Sequence, residues 1–189
     1  SRYTIRAQEE CPDYEIYQLK SGDNWIENST NQIKSKVIGF EGNFVSFNML
    51  NQLKERSNNN LIWKDFSEQI SKERIIKSEH EVKKIEEAIS ISDRAFNTVS
   101  KKIKEGMTEE EIAWEMEKEM RILGAESISF DTIVASGING AKPHHSPTDK
   151  KISNGEAITI DMGAKFNGYC SDLTRTIFIG DPDEKFKKI

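Results

Sequence analysis

From Ser78 onward the chain shows two successive hydrophobic periods. Val82, Ile85, Ile89, Phe96, Val99 and Ile103 recur at helical spacing, behind a capping box formed by Ser78 and Glu81. Gly106 is placed to end that helix. Thr108 and Glu111 repeat the box and open a second helix, with Ile112, Met116, Met120 and Leu123 on one face and Gly124 as its stop. Lys and Glu fill the other faces, so the pattern predicts two amphipathic helices covering a sheet, their charges forming a solvated surface rather than a binding patch. After Gly124 the period falls to two. Strands are expected over Ser129–Ala135, Ala157–Met162 and Cys170–Ile179, with a Gly/Asn loop at Ser136–Ala141, the segment Pro143-His144-His145-Ser146-Pro147, and a turn at Ser153-Asn154-Gly155.

The first 72 residues have a different texture. A helical start over Arg2–Gln8 is followed by a strand-like Glu15–Leu19 and a polar linker. Val37–Phe40 and Phe44–Phe47 come next, then a helix near Met49–Arg56 and an apolar patch at Leu61–Phe66. Strands alternating with short helices imply an α/β layer. The run Ser57-Asn58-Asn59-Asn60 is a loop, no internal repeat is present, and the change of texture falls between residues 72 and 78.

Composition narrows the function classes. Among 189 residues, 27 Lys and Arg against 32 Asp and Glu give a net charge of −5, which argues against a dedicated nucleic-acid binder. No apolar run exceeds four residues, so neither a membrane span nor a signal-peptide core is expected. Cys11 and Cys170 give neither metal-binding spacing nor a disulfide framework, which suits a reducing, cytoplasmic setting.

The residues with chemical potential lie between 143 and 176. In the strand Ile158–Met162, Thr159 and Asp161 share one face while Ile158, Ile160 and Met162 share the other. In the next strand Cys170, Asp172, Thr174 and Thr176 lie together, opposite Leu173, Ile177 and Ile179. Asn167-Gly168 predicts a type I′ hairpin turn. Opposing positions then sum to 335, so Asp161 faces Thr174 and Asp172 faces Gly163. The two aspartates become diagonal neighbours on one polar face, about 7–8 Å apart at the backbone. Two explanations fit. The acids hold a pair of divalent ions that activate a water, or they lie on the wet side of a hairpin, partly neutralised by Lys165. His144 and His145, 17 and 16 residues before Asp161, are likewise either loop surface or site residues. Cys170 reads as a small filler beside hard oxygen donors, and neither it nor Ser171 has a neighbouring base to make it a nucleophile.

Residues 130–180, FDTIVASGINGAKPHHSPTDKKISNGEAITIDMGAKFNGYCSDLTRTIFIG, closely resemble the proline-specific branch of the pita-bread metallopeptidases, the Xaa-Pro aminopeptidases and Xaa-Pro dipeptidases. The opening SRYTIRAQEEC resembles the tail of the N-terminal domain that these enzymes share with creatinase. The resemblance implies an α+β fold: part of a creatinase-type α/β domain over residues 1–74, then the first half of a pita-bread catalytic domain over 75–189. It also implies a hydrolase with two divalent ions, commonly manganese or cobalt, holding a hydroxide that attacks the scissile carbonyl. Asp161 would be a ligand of one ion, Asp172 the bridge between both, and His144 the substrate-contacting, transition-state-stabilising histidine; His145 is given no role. The implied substrates are short peptides with proline at the second position. A homodimer without nucleic-acid or membrane partners is also implied.

The family's centre also needs a histidine and two glutamates from the second half of its catalytic domain, and no motif of that kind follows Gly180; Asp181, Asp183 and Glu184 sit in a turn that does not match. The expectation is therefore a fragment lacking both ends, which by itself binds metal weakly and turns over no substrate. The alternatives are a pita-bread binding module without catalysis, creatinase-like C–N hydrolysis, and a methionine aminopeptidase. Retention of the acid pair argues against the first two. The creatinase-type start argues against the third.

Overall fold

The computed structural model describes residues 3–57, 60–182, 184 and 186–188. Arg2, Asn58, Asn59 and Asp183, which figured in the sequence reading, lie outside the described residues. The chain divides into two compact units, Ser1–Ile76 and Lys77–Ile189.

In the first unit α1 (Thr4–Glu10) and α2 (Trp25–Thr30) precede β1 (Val37–Phe40), α3 (Phe47–Arg56), β2 (Ile62–Asp65) and α4 (Ser67–Ile75). β1 and β2 pair in parallel, Val37 opposite Ile62, so α3 is the crossover that a parallel pair requires. Ser46 caps α3 by accepting from the Met49 N–H. Asp65 closes the end of β2, accepting from the Gly42 and Ser67 N–H groups. Two expectations fail here. Glu15–Leu19 is irregular, and Phe44–Phe47 is no strand: residues 44–46 form the turn into α3, which Phe47 opens. The expected polar linker holds α2, capped by Asn24.

The second unit opens with α5 (Glu79–Val99) and α6 (Glu109–Ile122), and both predicted capping boxes are present. Gly124, at φ +107, adopts the left-handed conformation that ends α6. The buried stripe of α5 differs from the expected one. Ala88, Ile91, Ser92, Ala95 and Val99 are buried, while Val82 and Ile89 are exposed. Small residues at 88, 92 and 95 let the helix backbone approach the strands closely, which larger side chains at 82 and 89 would prevent.

Among the described residues, eight strands occur in the two units together. In this unit they are β3 (Ser127–Ile128), β4 (Ile133–Ser136), β5 (Ala157–Met162), β6 (Ala164–Phe166), β7 (Tyr169–Cys170) and β8 (Leu173–Phe178). They form two antiparallel three-stranded sheets, ordered β3-β6-β7 and β4-β5-β8. Of the expected strand Ser129–Ala135 only the last three residues, 133–135, lie in a strand, as part of β4; residues 129–132 connect β3 to β4, and Cys170–Ile179 is divided by a break at Ser171–Asp172. The hairpin register is the predicted one: Asp161 pairs with Thr174, Phe166 with Tyr169, and Asn167 and Gly168 both take positive φ. Ile158, Ile160 and Met162 join Ile112, Met116 and Met120 in the core, so both helices cover the sheets as expected. No helix among the described residues is long and apolar enough to cross a membrane.

Candidate active site

Asp161 is placed by the alternation of β5. Its odd-numbered partners Ala157 and Thr159 are half-buried, while the even positions fill the core. One residue past β5, the hairpin kinks without changing register. The β5–β8 ladder ends at Met162–Leu173 and pairing resumes at Lys165–Cys170. Gly163 makes the kink possible, because a Cβ there would collide with the Ser129 hydroxyl and the Ser171 carbonyl. Buried hydroxyls hold it. The Ala164 N–H donates to Ser171 Oγ (2.9 Å) and Ser92 Oγ (3.1 Å), and those two oxygens are 2.6 Å apart. Ser129 Oγ donates to the Ser171 carbonyl at 2.8 Å. Asp172 follows Ser171 directly, so the fixed kink sets where this exposed carboxylate stands.

Beside the kink is an open cleft of about 450 Å³. Residues 130–133, the loop 144–147, Asp161 and Asp172 line it. The three residues singled out from the sequence, His144, Asp161 and Asp172, therefore share one cavity. Lys165 and Cys170 pair with each other beyond the kink and are absent from the lining, so the expected neutralisation of the acids by Lys165 and the expected place of Cys170 beside them are not found.

Asp161 Oδ1 is buried and has no hydrogen-bond partner among the described residues; the same holds for Thr132 Oγ1. A buried carboxylate oxygen without a donor costs several kcal/mol unless a cation or proton donor completes it. Oxygen donors of this kind suit hard divalent ions. Asp161 and Asp172 thus fit part of a metal-binding set. Among the described residues no group of three or more His, Cys, Asp or Glu side chains is close enough to hold an ion alone.

A second carboxylate beside the cleft is arranged in the opposite way. Glu109, fully buried in the first turn of α6, accepts from Ser136 N–H and Oγ (2.8 Å each), Asn139 Nδ2 (3.0 Å), His145 Nε2 (2.9 Å), and Thr148 N–H (3.2 Å) and Oγ1 (2.8 Å). Burial pushes its pKa up, but the bonds from Asn139, His145 and Ser136 outweigh that and hold it at about 2. Lys150 Nζ extends the network, donating to Ser136 Oγ (2.9 Å) and to Glu156 (2.8 Å). Desolvation of Glu156 is likewise outweighed, by hydrogen bonds from Lys150 and the Ser153 N–H, and its pKa is lowered.

Comparison with known proteins decides the family. The model of metallopeptidase family M24 matches residues 83–189. The chain belongs to that family. The Creatinase/Prolidase N-terminal domain matches residues 1–76. An uncharacterized peptidase of Bacillus subtilis is 38% identical over all of this chain and 53% of its own length. The Xaa-Pro dipeptidase of Pyrococcus furiosus is 41% identical over 82% of this chain and 44% of its own. The crystal structure of an X-Pro aminopeptidase from Thermotoga maritima superposes with a TM-score of 0.90 at 39% identity, over all of this chain and 53% of that one. The chain spans about half the length of these M24 relatives. Its fold is accordingly a creatinase-type N-terminal portion followed by the first part of a pita-bread domain.

Sequence reasoning missed Glu109 in this M24 chain because Glu109-Glu110-Glu111 reads as solvent-facing acid at a helix N-terminus. One signal was available. Glu109 lies three residues before Ile112 and seven before Met116, in phase with the buried face. Ser92, Ser129 and Ser171 carried no such mark.

Proposed function

We propose that this chain carries part of the centre of a metal-dependent exopeptidase that cleaves the bond between an N-terminal residue and proline. The observation that carries the reading is the buried, unpartnered Asp161 oxygen in the same cleft as Asp172 and His144. The family membership and the names of the relatives support the reaction class.

In this reading Asp161 and Asp172 would be oxygen donors holding two divalent ions, manganese or cobalt, Asp161 serving one ion and Asp172 both. What such ions supply when bound is Lewis acidity: a water of lowered pKa and a polarised carbonyl. His144, exposed at the cleft, contacts the substrate and stabilises charge on its carbonyl oxygen in the transition state. Phe130, Ile133 and Pro147 give the cleft an apolar wall suited to a proline ring and to excluding water. A bond preceding proline lacks an N–H, which favours a dedicated pocket over strand-like recognition. The 189-residue chain alone, with two acidic donors, binds metal weakly and does not turn over. The full-length protein acts on short peptides in the cytoplasm as a homodimer. A pita-bread binding module without catalysis has no use for a buried carboxylate oxygen left without a partner.

The test is peptide cleavage by the full-length protein on matched Xaa-Pro and Xaa-Ala substrates, with manganese and with chelator. Proline-selective, chelator-sensitive release of the first residue is the expected result. Absence of cleavage with every divalent metal tried would move the assignment to the binding module.

A further inference from the structure

We infer that Glu109 and His145 are positioning residues that fix the direction in which His144 enters the cleft. His144 has a φ of +52, one of only two non-glycine residues with positive φ among those described. A left-handed backbone is unfavourable for a non-glycine residue and persists where the surroundings over-determine it. The surroundings here are anchors on either side of His144, all on one carboxylate. Asn139 holds the near side, also receiving Lys142 Nζ at 2.7 Å and the Lys142 N–H at 3.0 Å. His145 and Thr148 hold the far side. The adjacent histidines separate by environment: His145 is 9% exposed and bonded to Glu109, while His144 is exposed. Docking the one ring therefore sets the direction of the other. Without His145 the chain between Asn139 and Thr148 keeps no side-chain tie to Glu109.

The chemistry of the pair is determined. An ionised carboxylate only accepts, so His145 Nε2 carries a hydrogen and donates it. Glu109 stands on the first turn of α6, where the helix dipole also favours its charge. His145 thus acts through the loop rather than on substrate.

Two measurements test this, and only the second rests on the peptidase reading above. In the 189-residue chain, long-range 1H–15N NMR is expected to find His145 protonated at Nε2. His145→Ala is expected to average or broaden the His144 ring signals while the core resonances stay in place. Glu109→Asp, which keeps the charge but withdraws it by one methylene, is the second variant and should do the same. His144 signals that stay sharp and unshifted in both variants would overturn the inference. In the full-length enzyme, His145→Ala is expected to lower kcat/KM by about 10–100-fold, chiefly through kcat, and His145→Gln, which keeps a donor, to recover most of the loss. In a His144→Ala background the same substitution should cost little more. Fully additive losses would overturn the positioning role. If the unsubstituted enzyme cleaves no Xaa-Pro peptide, the peptidase reading fails and the NMR arm still decides this one.

Discussion

Glu109 sits on the first turn of α6 with both oxygens taken by donors from four residues, whereas Asp161 sits on β5 with a buried oxygen that no described donor reaches. The two regions adjoin, since His145 belongs both to the Glu109 cluster and to the cleft wall. Folding has compensated one charge internally and leaves one oxygen of the other without a partner among the described residues. A saturated buried carboxylate is part of the scaffold. One with an unmatched oxygen beside a second acid is a place where binding energy remains to be gained.

The contrast is broken most severely through activity. Asp161→Asn or Asp172→Asn in the full-length protein is expected to reduce Xaa-Pro cleavage by more than ~100-fold, beyond the 10–100-fold typical of residues that only support a ligand. Steady-state kinetics on a saturable peptide checks it. Next in size, Glu109→Gln turns one acceptor oxygen into a donor among existing donors. It should destabilise the 189-residue chain by about 3 kcal/mol in urea unfolding.

The same carboxylate gives a pH dependence of defined sign. Its folded pKa of about 2 lies below the ordinary 4.5, so its contribution is fully present above pH 4.5 and is lost as the pH falls toward 2. The gap corresponds to about 3 kcal/mol. Glu109→Gln should flatten the stability curve across that window. A smaller loss, roughly 1–3 kcal/mol, is expected for Gly163→Ala, whose Cβ has no room at the kink. The smallest effect has the opposite sign. Asp161→Asn in the isolated chain removes an uncompensated charge and should leave stability unchanged or raise it by up to ~1 kcal/mol. A marked loss there would mean that Asp161 is satisfied internally after all.

What the sequence disclosed was local. Two caps, a two-residue turn and strict alternation each act within a few residues. They sufficed to place α5, α6 and the Asp161–Thr174 register, and with it the two acids on one cleft. The kink at Gly163 was not legible, because it depends on Ser129 and Ser92 arriving from distant elements. Burial of Glu109 depends likewise on a loop about 30 residues further on. The first unit was read less well for a related reason. Many of its large apolar residues stay exposed, Phe44 at 83% and Tyr14 at 76%, although Ile26 is buried, so hydrophobic pattern there is a poor report of a buried face.

The most direct test of the central claim is a manganese titration of the 189-residue chain followed residue by residue through paramagnetic NMR broadening. Signals of Asp161, Asp172 and His144 should broaden first, with an affinity weaker than micromolar, and Asp161→Asn should abolish the effect. Broadening that begins at the acidic surface of α6 while the cleft signals stay sharp would contradict the account.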